Sequence, residues 1–189
     1  MAELAAADLA TFTGGRLSAA DANTGTVLAA ALAAARRWCG WTVSPVATDV
    51  EVTVDGPGGP VLTLPTRNLI EVSAVSENGV DVDVSTLDIS RTKGTVRKYP
   101  YGSWTARDGG IAVTMTHGLT EAEAADWRRA VLRLADLMSL DTSSSGLRDD
   151  PALVRKRVDD VEYQWSERII TTDAKLSALL APFKILQSP

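Results

Sequence analysis

The chain has 189 residues, 45% of them hydrophobic, with a formal net charge of −5 and a sequence pI near 4.9. That is enough for one domain of good size, or one with an insertion, and the acidity excludes a protein that grips nucleic acid or anionic membrane through its overall charge. A single cysteine, Cys39, and a single histidine, His117, exclude an internal disulfide framework and a zinc site built from these residue types alone. The opening MAELAAADLATF has no basic n-region, so no signal peptide is expected. No segment approaches the ~18 consecutive apolar residues of a membrane span, and a product made or assembled in a cytoplasm is expected.

Residues 2–11 read as a short alanine-rich helix ending near Thr13-Gly14-Gly15. A second helix follows. Ser18 and Asp21 have capping-box spacing, while Gly25 argues for a start nearer Thr24. Leu28, Leu32, Ala35 and Cys39 form its apolar stripe, Arg36 and Arg37 suit its C-terminal dipole, and Gly40 ends it just after Trp38.

Residues 42–117 change character, being rich in Val, Thr, Gly and Pro in short alternating runs. Val50, Val52 and Val54 share a face. Gly56-Pro57-Gly58-Gly59-Pro60 is turn chemistry, because it lacks the strand–loop–helix setting of a phosphate loop. Leu62 and Leu64 follow, then Ile70, Val72 and Ala74 as one alternating face. Asn78-Gly79 is a strong hairpin turn, since both central residues of a type I′ turn need positive φ. Val80, Val82 and Val84 continue the alternation, and Leu87–Arg91 and Thr95–Lys98 flank a second turn at Lys93-Gly94.

The stretch Ile111–Leu140 organises the rest. Ile111, Val113 and Met115 alternate with Ala112, Thr114 and Thr116, the period of a strand with one buried face. Gly118 turns the chain. Thr120 and Glu123 have capping-box spacing. Trp127, Val131, Leu134 and Met138 then fall on one helical stripe, broadened by Ala124, Ala130 and Leu137, while Arg128, Arg129, Arg133 and Asp136 face elsewhere. The expected core is Leu28, Leu32 and Trp38 against Trp127, Val131, Leu134 and Met138. Thr142–Gly146 reads as a loop, Val161, Tyr163 and Trp165 as a projecting strand or arm, and Thr172 as the cap of a last helix carrying Leu176, Leu179, Leu180 and Phe183.

The fold class expected is α+β: a helical bundle core of about four helices, residues 1–41 and 118–189, with a C-terminal arm and tail. A β-rich insertion, residues 42–117, lies between the second and third main helices of what reads as one compact unit.

The sequence offers little chemistry. His117 reads as a structural histidine at a strand end rather than a general base, and Cys39 as a small hydrophobe on a buried stripe. Asp81 and Asp83, near Glu77, have no calcium-loop spacing and read as a solvent face. Arg91, Lys93, Arg97 and Lys98 with Tyr99, Tyr101 and Trp104 are the nearest thing to a nucleic-acid patch, but a basic surface loop paired with an acidic neighbour is preferred. No catalytic, cofactor or metal residue is assigned. Phe183, Ile185 and Leu186 lie beyond Pro182 and either fold back on the domain or anchor in another chain.

Several local patterns carry a resemblance. Arg36-Arg37-Trp38-Cys39-Gly40-Trp41, Val43-Ser44-Pro45, Val54-Asp55-Gly56-Pro57-Gly58-Gly59, Leu64-Pro65-Thr66 and Val113-Thr114-Met115-Thr116-His117-Gly118 together resemble the head-to-tail adaptor proteins of tailed phages, also called head–tail connector or head-completion proteins, and most clearly those of actinobacterial phages. The resemblance covers about residues 2–166. It implies a structural virion protein, made in the host cytoplasm, that forms a ring of about twelve copies under the portal and extends the DNA channel. It implies that Phe183, Lys184, Ile185, Leu186 and Gln187 meet the portal. Val161, Tyr163, Trp165, Arg97, Tyr99, Tyr101 and Trp104 are then the candidates for contact between subunits or with the tail-side protein. Duplex DNA would pass without specific binding, and no membrane or cofactor is implied. A tail-terminator or stopper protein, usually a β-barrel, is the alternative, and a nucleic-acid-binding protein using Arg91–Trp104 comes after it.

Overall fold

The structure, a computed structural model, describes residues 4–100, 102–143 and 169–185. Its fold is α+β, with helices and antiparallel sheets. Contacts within the chain divide it into two compact units rather than one: Met1–Gly40 with Ala124–Lys184, and Trp41–Glu123 with Ile185–Pro189.

The first unit is helical: α1 Ala6–Phe12, α2 Ala22–Cys39, α3 Ala125–Ser143 and α4 Ala174–Leu180. Asp21, not Thr24, caps α2, its carboxylate accepting from Asn23 N at 2.9 Å. Gly25 is tolerated inside the first turn. At the other end Gly40 is left-handed and donates to Arg36 O at 2.8 Å. The buried positions of α2 are Thr24, Leu28, Ala31, Ala35 and Cys39. Leu32 and Trp38, expected in the core, are half-buried flanks, because the centre of the stripe passes through Ala31. Helix α3 runs through Ser143, past the expected loop start. It packs on α1, α2 and α4, with Trp127, Val131 and Leu134 fully buried and Met138 nearly so. Leu137 is only partly covered.

Asp173, not Thr172, caps α4. It accepts from Lys175 N and Leu176 N, and also from Arg133 Nη2 at 2.6 Å and Nε at 3.1 Å. The Arg133 guanidinium first, then the Leu176 amide, holds this carboxyl below its ordinary range. A carboxylate serves both purposes where a threonine hydroxyl serves only the cap, so this residue starts the helix and ties it to α3. A second tie joins Arg16 to Asp136, and Arg16 also donates to Ser139 Oγ at 2.7 Å.

The second unit is built from seven strands: β1 Ala47–Val54, β2 Val61–Thr63, β3 Leu69–Glu77, β4 Val80–Val82, β5 Leu87–Ser90, β6 Thr95–Lys98 and β7 Ile111–His117. They form two antiparallel sheets, of order β1-β7-β3-β4 and β2-β6-β5. Strand β7 alternates as expected, with Ile111, Val113, Met115 and His117 buried. Leu62, Leu64, Val96, Trp104, Val72 and Val75 complete a core to which both sheets contribute. Asn78 and Gly79 have φ of 53° and 81° and join β3 to β4 through the pair Glu77–Val80, the two-residue turn that this dipeptide favours.

Strand β3 departs from simple alternation. Its buried residues are Leu69, Val72 and Val75, not Ile70, Val72 and Ala74. Two register shifts against β7, between Leu69 and Glu71 and between Val72 and Ala74, each insert a residue and stretch the buried period from two to three. Beyond the turn, Val80 is 69% exposed and Val84 sits in a 3-10 turn, so the run Val80, Val82, Val84 does not line one strand face.

Replacing Leu134 by Ala should lower stability by ~2–5 kcal/mol in a denaturant melt. An unchanged transition midpoint would mean that α3 is not the centre of the helical unit.

Candidate interaction surfaces

The basic-aromatic segment comes apart when each residue is placed. Arg91, Lys93, Arg97 and Tyr99 are exposed, Tyr99 at 67%. Trp104 is 2% exposed and belongs to the core of the β unit, so it presents no stacking face to a strand or a subunit. Lys98 shares the inward parity of Val96 on β6. Its ammonium lies 4.5 Å from the centre of the Trp104 ring, donates to Glu77 Oε2 at 2.6 Å and to Ser103 O at 3.1 Å. Glu77 also accepts from Thr105 N at 2.5 Å. Burial pushes the Glu77 carboxyl up, but Lys98 and the Thr105 amide outweigh it, and the group is held below its ordinary value. Lys98 and Trp104 are therefore structural. The basic residue with an acidic neighbour, expected in the sequence, is Lys98 with Glu77. Tyr101 lies outside the described residues.

The C-terminal candidates are also partly accounted for. Pro182 does not release the chain: Ala181–Phe183 form a 3-10 turn, where proline near the first position lacks only a donor that has no use there. The Phe183 ring meets Trp127 edge-on at 6.1 Å, and Lys184 Nζ lies 4.0 Å over the Trp38 ring. Both residues are held on their own helical unit, which for Phe183 is the folding-back alternative. Ile185 is half-buried. Leu186 and Gln187 lie outside the described residues, as do Val161, Tyr163 and Trp165.

His117 ends β7, buried, with the Trp41 ring 6.4 Å away. Its Nδ1 has no hydrogen-bond partner among the described residues, and burial lowers its pKa. It is a buried neutral ring, though not a fully satisfied one. Cys39 is buried in the helical unit, its thiol 4.0 Å from Leu180 O. Burial, partly offset by Lys184, pushes the thiol up to about 12. Asp83 accepts from Ser85 N and Oγ and caps the 3-10 turn Val84–Thr86. Asp81 is exposed on β4. Among the described residues no group of three or more His, Cys, Asp or Glu is placed to hold a metal, and no helix is long and apolar enough to cross a membrane.

The described residues also present a charged surface. Sequence reasoning missed one feature of it. The outer face of the four-stranded sheet carries exposed Glu51, Glu71 and Asp81, and Asp49 at the bulge of β1, with no Lys or Arg in any of its four strands. The composition of the strands shows this once their faces are sorted.

The described residues define an α+β fold with a helical unit and a two-sheet β unit. No family model matches the sequence, and no curated protein matches it. Among solved structures, the chain is similar to one in the structure described as "Neck of empty GTA particle computed with C6 symmetry", GTA being a gene transfer agent, a phage-like particle. The identity is 17%, the TM-score 0.58, and the likeness covers 99% of this chain and 92% of that one. The shared fold runs the length of both chains, and it agrees with the resemblance to head-to-tail adaptors.

Two outcomes test the placements. The Glu77 carboxyl is depressed in the fold, so its contribution is present above the unfolded carboxylate range and lost as pH falls through the folded value. Glu77→Gln should therefore lower the melting temperature near neutral pH and approach wild type in acid; a difference that persists in acid would exclude the ion pair as the cause. Cys39 should resist a thiol reagent at pH 8 in the folded chain and react fully once unfolded. Labelling of the native chain at the rate of a free thiol would show the site to be open.

Proposed function

We propose that this chain is a structural virion protein, the adaptor subunit of the ring that docks on the portal and joins the phage head to the tail. The observation that carries the reading is the whole-chain likeness to a protein of a particle neck. That neck was computed with C6 symmetry, and a ring of about twelve copies has a count divisible by six, which is consistent with it. The helical unit weighs for an adaptor over a stopper or tail-terminator of β-barrel type. Net charge of −5 suits a channel component past which duplex DNA slides without being held.

The segment from Ile185 onward is the proposed portal contact, with Phe183 and Lys184 as the hinge that fixes its starting point on the helical unit. Repetition around a ring would turn a weak contact at each copy into a durable one through effective concentration. Tail-side and subunit contacts fall on Tyr99, Arg97 and the segment holding Val161, Tyr163 and Trp165.

Deleting residues 185–189 should leave the melting temperature nearly unchanged and abolish co-purification with portal-bearing heads. Removing Phe183 and Lys184 as well should also destabilise the chain, since their partners are Trp127 and Trp38. Normal head attachment by the shorter deletion would move the portal contact elsewhere. An image of assembled necks showing one copy per neck would sink the ring. Against duplex DNA at about 0.15 M salt, no complex is expected at micromolar chain, and a tight salt-sensitive one would favour the nucleic-acid reading.

A further inference from the structure

The β unit is charged in opposite senses on its two outer sides. Its two sheets share one core, so side chains that alternate with the core residues point away on opposite sides of the unit. On the three-stranded sheet the outward position of β6 is Arg97, with Val61 across from it on β2, 40% exposed, and Asp88 across on β5. Arg91 and Lys93 stand exposed in the loop joining β5 to β6. Arg97 thus stands beside one carboxylate on the outer face, with two further exposed cations in the adjoining loop. On the other side, Glu51, Glu71 and Asp81 are exposed on strands that contain no Lys or Arg at all.

We propose that the basic outer side of the three-stranded sheet of one copy seats on the acidic outer side of the four-stranded sheet of the next. This rests on the ring reading above and names the contact that would build it. Charge complementarity is the argument for a second copy as occupant. The chain itself carries an anionic surface, whereas three cations on a chain of net charge −5 make a poor grip on duplex DNA. The contact uses two different patches on one chain. A pair of copies therefore leaves one patch of each sign unused, and growth continues until a ring closes or a filament runs on. Val61 beside Arg97 and the exposed Ile70 beside Glu71 give each patch an apolar element.

The test is charge reversal in the full chain, read by sedimentation across a concentration series. Lys93→Glu with Arg97→Glu makes both sides acidic, and Glu51→Lys with Glu71→Lys makes both sides basic. Each double variant should associate at least about tenfold more weakly than wild type, with unchanged melting temperatures showing that both fold. Mixing the two should restore assembly, because every contact in an alternating array is again between opposite charges. The quadruple variant should also assemble. Wild-type association should weaken as salt rises from about 0.05 M to about 0.5 M. Assembly that ignores the reversals, or a mixture that stays apart, overturns this contact and leaves the ring itself standing. A wild-type chain that is monomeric throughout overturns it too, while the number of copies in a neck image decides the ring independently. Loss of DNA binding in the Lys93/Arg97 variant with association intact would assign the basic side to nucleic acid instead.

Discussion

Strand β7 is the constraint on which the β unit depends. It is hydrogen-bonded along both edges, to β1 and to β3, and buries every second side chain. Because the side-chain period of a strand is two, a slip of one residue would expose Ile111, Val113 and Met115 together and bury Ala112, Thr114 and Thr116 in their place. Each large apolar group is worth about 1.5–3 kcal/mol on burial, so the register is strongly fixed. The neighbours bend to it: β1 and β3 both carry bulges where they pair with β7, while β7 keeps strict alternation. Gly118 then ends the strand. Its φ is 112°, its amide and carbonyl are both paired with Asn68, and a Cβ there would stand 2.9 Å from Pro45 O. The turn needs the absence of a side chain as well as the freedom of φ.

The helical unit has a different logic. Helix α3 supplies the buried stripe, but its ties to the rest are polar and sit at its margins. Arg133 reaches Asp173 and Asp136 meets Arg16. These ion pairs are partly exposed and contribute little stability each. What they do is select a rotation of α3 about its axis, since Arg133 and Asp136 lie one turn apart on the flank of the apolar stripe. Burial drives the association of the helices, and the charged margins choose among the ways of burying the same residues.

Strong local signals were legible in the sequence. Alternation in Ile111–Met115, the Asn78-Gly79 turn, the left-handed Gly40 cap and the Thr120–Glu123 box all appear where residue chemistry puts them. The misses share a cause, which is a partner distant in the chain. Nothing local distinguishes Trp104 from Tyr99; Trp104 joins the core of the β unit, and its neighbour Thr105 donates to Glu77 from a distant strand. Thr172 and Asp173 are both good caps, and Arg133, 40 residues away, makes the second the better one. Phe183 follows a proline and could fold back or anchor elsewhere, and Trp127, distant in the chain, supplies the edge-to-face partner that folds it back. The bulges of β3 are invisible to a period of two, because they answer to β7 rather than to β3's own composition.

The same distinction bears on function. Catalytic sites declare themselves through rare residue types, and this chain has one histidine and one cysteine, both buried: burial lowers the pKa of the ring and pushes the thiol up to about 12. Assembly surfaces use common residues and declare themselves through arrangement. Glu51, Glu71 and Asp81 are unremarkable in sequence, separated as they are by 20 and 10 positions. They become one surface only because β1, β3 and β4 are strands of one sheet. Arg97 acquires its sign as a surface in the same way, when Lys98 beside it turns inward to Glu77 and leaves the outward position to the guanidinium alone. A strand puts successive residues on opposite faces, and here it spends one cation on the core and one on the exterior. A module whose two sides carry opposite charge has no reason to pair with itself face to face. The complementarity in the proposed contact is directional, as successive copies in a head-to-tail ring would need.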